Sequence, residues 1–223
     1  MAEWDTTQYW DKKWSLKELR LEEKVALDGS DGEEEFDVEL LRRIAGKDVL
    51  DIGCGPGEFA LRVARRARRV VCADASTTAL RLAKENLHRS KLTNVTFRLA
   101  DASSLPFAQN SFDVVYSRWG PASESIHTLS EAFRVLRLGG TFMEITIGER
   151  DKQNITNIFG RGQMYRVRTQ VSSTKKMLLE RVGFKSVVAR DYLGTEVFET
   201  MQDLLVRLKS APIIPSFDPQ RDR

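Results

Sequence analysis

In the stretch "VLDIGCGPGEF", residues 49–59, an acid is followed by three glycines at alternate positions: Asp51, then Gly53, Gly55 and Gly57. Glycine tolerates positive φ and lets main chain approach a ligand with no Cβ in the way. A helix starting near Gly57 or Glu58 would turn its first N–H groups toward an anion. Asp51, two residues ahead of Gly53, suits a cationic group better than a phosphate. The stretch reads as a place where a ligand lies directly against backbone. The alternative is a surface turn that uses glycine for its conformation alone. A nicotinamide dinucleotide would ask for G-x-G-x-x-G with its pyrophosphate over the helix start. Here Glu58 holds the place of the third dinucleotide glycine. Its carboxylate would oppose a diphosphate, which disfavours a nicotinamide dehydrogenase.

The elements that must position this turn follow from periodicity. Short β-branched runs at 47–52, 69–74, 94–100, 111–117 and 140–147 alternate with helical patterns at 58–68, 76–90 and 122–137. That alternation implies successive βαβ units and a parallel sheet covered on both faces. In such an open sheet, ligands bind beyond the carboxyl ends of the strands, where strand order reverses. The expected fold is α/β, a Rossmann-like doubly wound and mostly parallel sheet with N-terminal helices and a C-terminal lid or extension. Residues 15–27 and 33–45 read as helices joined by the turn-rich "DGSDG". Residues 148–170 read as a long loop or lid, followed by a helix at 173–182, a strand near 184–192 and a helix at 198–209. "YLGTEVF" either forms a short returning segment or the sheet ends early. The expected division is an N-terminal helical cap at 1–46, a cofactor-binding core at 47–148, and a lid loop with C-terminal completion at 149–223.

Composition narrows the class. A chain of 223 residues suits one domain, or one with an appended lobe, and is long enough to bury a sizeable core. No apolar run approaches the roughly 20 residues that span a bilayer, so no membrane is expected as a partner. The start "MAEWDTTQYWDKKW" lacks the basic-then-apolar layout of a signal peptide, which sets the expectation of a cytoplasmic protein. Cys54 and Cys72 are too few for a disulfide framework and read as reduced, and no Cys/His spacing suggests a metal site. The net charge of +3 permits a nucleic-acid partner without arguing for one.

At the glycine turn the chain resembles a family. "DIGCGPGEF" is similar to the first motif, D-x-G-x-G-x-G, of class I methyltransferases that use S-adenosylmethionine, and the resemblance runs over roughly residues 36–148. The later motifs recur in order: "CADAS" closes the second strand, "LADASSLPF" follows the third, "FDVVYSRWG" forms the fourth and "RVLRLGGTFMEI" leads into the fifth. The chain most resembles the small-molecule branch, with helices ahead of the motif and a variable lid behind it. The resemblance implies S-adenosyl-L-methionine as cofactor, S-adenosyl-L-homocysteine as product and a small-molecule acceptor. It implies that Asp51 and the turn of Gly53, Cys54, Gly55 and Gly57 hold the methionine end, which carries an ammonium and a carboxylate. Asp74, with Ala75 beside it, matches the position that accepts the ribose hydroxyls; a helix-capping aspartate is the alternative, although Ser76 is already placed to cap. Asp101 and Ala102 match the position that reads the adenine edge, against a plain turn aspartate. Ser117 and Arg118 match the segment passing beneath the methionine portion.

Methyl transfer from a sulfonium is an in-line displacement that alignment alone accelerates, so no fixed catalytic residue is required. His127 is the candidate base, against a structural or solvated histidine. The fourth strand ends "SRWGP", unlike the Asn/Asp-Pro-Pro-Tyr/Phe motif of nucleic-acid amine methyltransferases. Tyr9, Trp10 and Trp14 could wall a sulfonium or could staple a helix to the core. Trp119, Arg118 and the loop residues Arg161, Tyr165, Arg166 and Arg168 are candidates for an acceptor pocket, with a solvated basic loop as the alternative. The arginines of 62–69 read as an exposed helical face. The expected function is methyl transfer to a small molecule. The alternatives are an RNA methyltransferase and a non-catalytic cofactor-binding protein of the same fold.

Overall fold

The computed structural model describes residues 7–15, 25–122, 125–166, 170–211, 213–214 and 216–222. In chain order the elements are α1 (Thr7–Ser15), β1 (Val25–Gly29), α2 (Glu33–Arg43), β2 (Asp48–Ile52), α3 (Glu58–Ala64), β3 (Arg69–Asp74), α4 (Thr77–Ser90), β4 (Val95–Leu99), β5 (Phe112–Arg118), α5 (Ile126–Val135), β6 (Leu136–Ile145), α6 (Gln153–Phe159), α7 (Val171–Val182), β7 (Gly194–Phe198) and α8 (Met201–Ser210). They group into two compact units. One holds residues 33–146 and 175–189, the other 1–32, 147–174 and 190–223.

The first unit is built on a five-stranded sheet in the order β4-β3-β2-β5-β6, every neighbouring pair parallel. Period-two alternation sends Val49, Val70, Cys72, Val114 and Tyr116 to one face, where Leu40 and Ile44 of α2 and Val63 of α3 cover them. Leu50, Ile52, Val71, Ala73 and Val115 go to the other face, against Ala132 and Val135 of α5. Because both faces are covered, β2 is buried at every residue, which is why "DVLDI" reads as an unbroken strand with an acid inside it. Helix α4 starts where the sequence indicates: Ser76 is its N-cap, and its hydroxyl accepts from the Ala79 N–H at 3.0 Å. Helix α2 carries Glu33, Glu34 and Glu35 in its first turn, complementing the helix dipole, and belongs to this sheet unit rather than to an N-terminal cap.

The second unit contains a two-stranded antiparallel ladder, β1 with β7, running from Val25↔Phe198 to Gly29↔Gly194. Glu196 on β7 pairs with Lys152 at 3.0 Å and with Arg207 of α8 at 2.7 Å. Leu208, Ile213 and Ile214 form a small core with Ile155, Phe159 and Leu204.

Several expectations are corrected here. The helix expected over 15–27 falls partly outside the described residues, and 25–29 is strand, because Val25–Gly29 finds a ladder partner far along the chain. No strand occupies 184–192; Phe184 there meets Phe133 edge-on and Phe142 at a tilt, and the strand comes later, at Gly194–Phe198. "YLGTEVF" does return as a strand, but onto β1 and not onto the parallel sheet. The expected loop 148–170 contains α6, bounded by Lys152 and Gly160, both left-handed. Helix α3 stops at Ala64, and the helix expected to reach 137 ends at Val135, because Leu136 already pairs with Phe112.

Candidate functional site

Beyond β2 the chain makes the turn 53–57 with all three glycines left-handed, φ +77°, +52° and +74°. Two of them are required by protein packing. A Cβ on Gly53 would stand 2.6 Å from Cδ of Pro121 and 3.0 Å from Cα of Gly120, in the turn that follows β5. One on Gly57 would meet Cβ of Ala83 at 3.2 Å. The turn's own N–H groups are also engaged. Those of Gly53 and Cys54 donate to the Ala73 carbonyl, that of Gly57 to the Cys54 carbonyl, and that of Gly55 to Asp74 at 2.8 Å. These contacts shape and lock the turn. Donors for an anion belong to the first turn of α3, where intrahelical acceptors are lacking. Gly53→Ala should cost on the order of 2 kcal/mol in chemical denaturation, from the left-handed backbone and the Pro121 clash together.

Asp51 and Asp74 end adjacent strands on the same edge. Asp51 is buried and lies directly opposite Tyr116 in the β2–β5 register; the Tyr116 hydroxyl donates to its Oδ2 at 2.7 Å. Burial drives its carboxyl up to about 7, against the lowering effect of the Tyr116 hydrogen bond; the nearby Asp74 charge raises it and Arg118 lowers it. A buried acid in this state gains from a cation arriving beside it. Asp74 uses its two carboxylate oxygens on the Gly55 and Ser76 N–H groups, each at 2.8 Å, tying the glycine turn to the start of α4. Ala75 is half-buried between them. Cys54 and Cys72 are both free thiols; a hydrogen bond that Cys54 donates to Cys72, together with burial, pushes Cys54 well above the ordinary thiol range, and Cys72 is raised as well, so neither is poised as a thiolate nucleophile.

The remaining candidates separate. Asp101 is exposed and its Oδ1 accepts from both the N–H and the hydroxyl of Ser103 at 2.7 Å, holding the carboxyl below its usual value. Oδ1 thus braces the turn after β4; Ala102 beside it is buried in the core. Ser117 is wholly buried and spends its hydroxyl on the Ile52 carbonyl at 2.8 Å, lacing β5 to β2. Arg118 reaches Asp37 at 3.1 Å and Glu33 at 2.8 Å on α2, with its guanidinium over the Phe59 ring. Both side chains expected beneath a methionine moiety are thus committed to the protein. Trp119, at φ +59° and 40% exposed, holds its indole N–H to Glu33 Oε1 at 2.5 Å. His127 is exposed in the first turn of α5.

In the other unit, Tyr9, Trp10 and Trp14 form one aromatic cluster on α1, with Lys13 over the Trp10 ring at 4.7 Å. Tyr165 is half-buried under the Arg166 guanidinium, Arg161 is taken by Asp222 at 2.7 Å, and Arg168 lies outside the described residues.

Residue-by-residue reading missed Tyr116, Glu33 and Asp37. Glu33 and Asp37 are spaced i,i+4, and so share one face of α2, which was a legible signal for a cation between them. Tyr116 became visible only with the strand register.

The chain is similar to known proteins over the sheet unit. Residues 49–140 match a family described as a methyltransferase domain. The chain is 34% identical over 116 residues to the ubiquinone/menaquinone biosynthesis C-methyltransferase UbiE of Allorhizobium ampelinum, covering 48% of this chain and 44% of that protein. It is 38% identical over 109 residues to a demethylmenaquinone methyltransferase of Leptospira interrogans, covering 45% and 43%. The chain thus spans a little under half the length of each of these curated relatives. Among solved structures, phosphoethanolamine N-methyltransferase 2 of Haemonchus contortus, in complex with phosphomonomethylethanolamine and S-adenosylhomocysteine, superposes with a TM-score of 0.56 at 25% identity, over 70% of this chain and 38% of that one. Glycine turn, paired strand-end acids and strand order agree with this match: residues 49–140 match a methyltransferase domain, and the sheet unit that carries them has the class I methyltransferase fold.

Proposed function

We propose that the chain transfers the methyl group of S-adenosyl-L-methionine to a small-molecule acceptor. The observation that carries the reading is the pairing of two strand-end acids with a locked glycine turn, at the edge where the sheet order reverses between β2 and β5. When bound, the cofactor supplies an electrophilic methyl on a sulfonium. Asp51 accepts the cofactor's ammonium, which relieves the cost of its buried charge, and the turn of Gly53, Cys54, Gly55 and Gly57 fixes the backbone against which the methionine end rests. Asp74 and Ala75 take the ribose edge and Asp101 with Ala102 the adenine edge. Ser117 and Arg118 contribute main chain and hold the floor of the site in place. Their side chains stay with Ile52, Glu33 and Asp37.

On the acceptor side the candidate in the sheet unit is Trp119, whose indole is clamped by Glu33; Tyr9, Trp10, Trp14 and Tyr165, the other candidates from the sequence, belong to the second unit. The chain's task there is alignment, with His127 as the base if the acceptor must lose a proton. The relatives' names, all of small-molecule methyltransferases, support this acceptor class over RNA. No helix among the described residues is long and apolar enough to cross a membrane, and we place the reaction in the cytoplasm.

Isothermal titration with S-adenosylhomocysteine tests the cofactor half. Expected is one-to-one binding in the micromolar range, about 8 kcal/mol of favourable free energy. Folded protein that takes up none overturns the reading. Transfer of labelled methyl to small-molecule phenols, quinols and amines, compared with transfer to RNA, tests the acceptor half.

A further inference from the structure

All five strands of the parallel sheet begin on one edge, opposite the edge that carries Asp51 and Asp74. Two turns there abut: the Gly46 N–H donates to the Arg66 carbonyl at 3.0 Å, and the Arg68 N–H to the Lys47 carbonyl at 2.9 Å. The side chains of this edge are overwhelmingly basic. Arg68, Arg69 and Arg137 converge on the buried Asp48 at 2.6, 3.5 and 3.2 Å, and Arg137 also meets Asp113 at 2.8 Å. Lys47, Arg65 and Arg66 are exposed, and no carboxylate among the described residues pairs with Arg65 or Arg66. Six cations therefore share two carboxylates, in a chain whose total net charge is only +3. The positive charge is concentrated at the end of the sheet remote from the two strand-end acids.

An apolar side chain stands out of this pole. In the β5–β6 ladder Phe112 pairs with Leu136 and Val114 with Thr141, so residues 137–140 bulge out opposite Asp113 alone. Gly139 is left-handed, and a Cβ on Gly140 would strike the Asp113 carbonyl at 2.9 Å, so the backbone of the bulge is pinned. Arg137 turns back to Asp48 and Asp113, while Leu138 is fully exposed, at 101% of its reference area. A wholly solvated leucine at the tip of a pinned bulge, next to an arginine that shares Asp48 with Arg68 and Arg69, has the form of a surface anchor rather than of a solvated face.

We infer that this edge docks on an anionic phospholipid surface, the arginines and Lys47 on the headgroup phosphates and Leu138 dipping between them. A second copy of the chain presenting the same face would be repelled by like charge. Single-stranded RNA would look for stacking platforms, and none of these residues is an exposed aromatic. The inference is independent of the methyl-transfer reading, since the docking face and the cofactor edge lie at opposite ends of the strands.

Flotation of the full chain with phosphatidylcholine vesicles, with and without phosphatidylserine, is the test. Expected is at least ~10-fold more binding to the anionic vesicles, falling as salt is raised. Exchanging Arg65→Glu together with Arg66→Glu should abolish it, and Leu138→Ser should weaken it several-fold. Both variants should keep wild-type S-adenosylhomocysteine binding, which confirms that they fold; Lys47→Glu is a third probe should either misfold. Equal binding to both vesicle types overturns the inference, as does anionic binding indifferent to the arginine exchange. Tighter binding to poly(U) than to vesicles at the same salt, unaffected by Leu138→Ser, assigns the face to nucleic acid and overturns it as well.

Discussion

Asp74→Ala should weaken S-adenosylhomocysteine binding at least ~100-fold, because a carboxylate accepting two ribose hydroxyls contributes roughly 1.5–3 kcal/mol per bond. The same carboxylate holds the Gly55 and Ser76 N–H groups, so its removal also loosens the glycine turn. A loss of affinity by itself would fit either role. The two are separated by the ligand. The 2′-deoxy analogue of S-adenosylhomocysteine should bind the wild-type chain about 10-fold more weakly, and should bind Asp74→Ala no worse than S-adenosylhomocysteine itself does. If the hydroxyl matters equally in both proteins, Asp74 is only a brace for the turn, and the ribose assignment fails. Chemical denaturation of the ligand-free proteins gives the bracing contribution separately, expected at about 1–2 kcal/mol for two lost backbone partners.

The strands of the parallel sheet were legible in sequence because burial on both faces leaves a near-continuous apolar run, as in "RVVCAD" and "FDVVYS". The helices between them were legible by period and caps, with Ser76 marking α4. The β1–β7 ladder was not. Val25–Gly29 is too short to show alternation, and its partner Gly194–Phe198 is recognisable only once the chain has brought the two together. In the site, residue type located the acids but not their partners. Ser117 and Arg118 sit at the strand end where a ligand is expected, yet the register that places Asp51 opposite Tyr116 also sends the Ser117 hydroxyl across to Ile52. Arg118 is drawn instead to Glu33 and Asp37. The glycines were legible as a turn, but their packing was not: the contact of Pro121 at Gly53 and of Ala83 at Gly57 appears only once the chain is folded.

Asp51→Asn should remove a pH dependence from both stability and cofactor affinity. The Asp51 carboxyl ionises at about 7 in the folded chain against 3.8 in an unstructured one, so between those values the folded chain keeps a proton that the unfolded chain releases. The ligand-free protein therefore loses stability as pH rises from about 4 to about 7, by roughly 4 kcal/mol in the limit, and the loss levels off above that window. Tyr116 can still donate to the asparagine carbonyl, so Asp51→Asn should be flat over the same range and more stable than wild type at pH 8. Binding runs the other way. An ammonium beside Asp51 stabilises the carboxylate, so wild-type affinity for S-adenosylhomocysteine should climb toward about tenfold per pH unit below 7 and plateau above it. At pH 6, uptake of the ligand should release close to one proton, readable as a buffer-dependent titration enthalpy. Asp51→Asn should bind more weakly at pH 8, by about 10- to 100-fold, with no proton release at pH 6. A variant that keeps the wild-type pH profile and proton count would move the titrating group away from Asp51 and take the ammonium site with it.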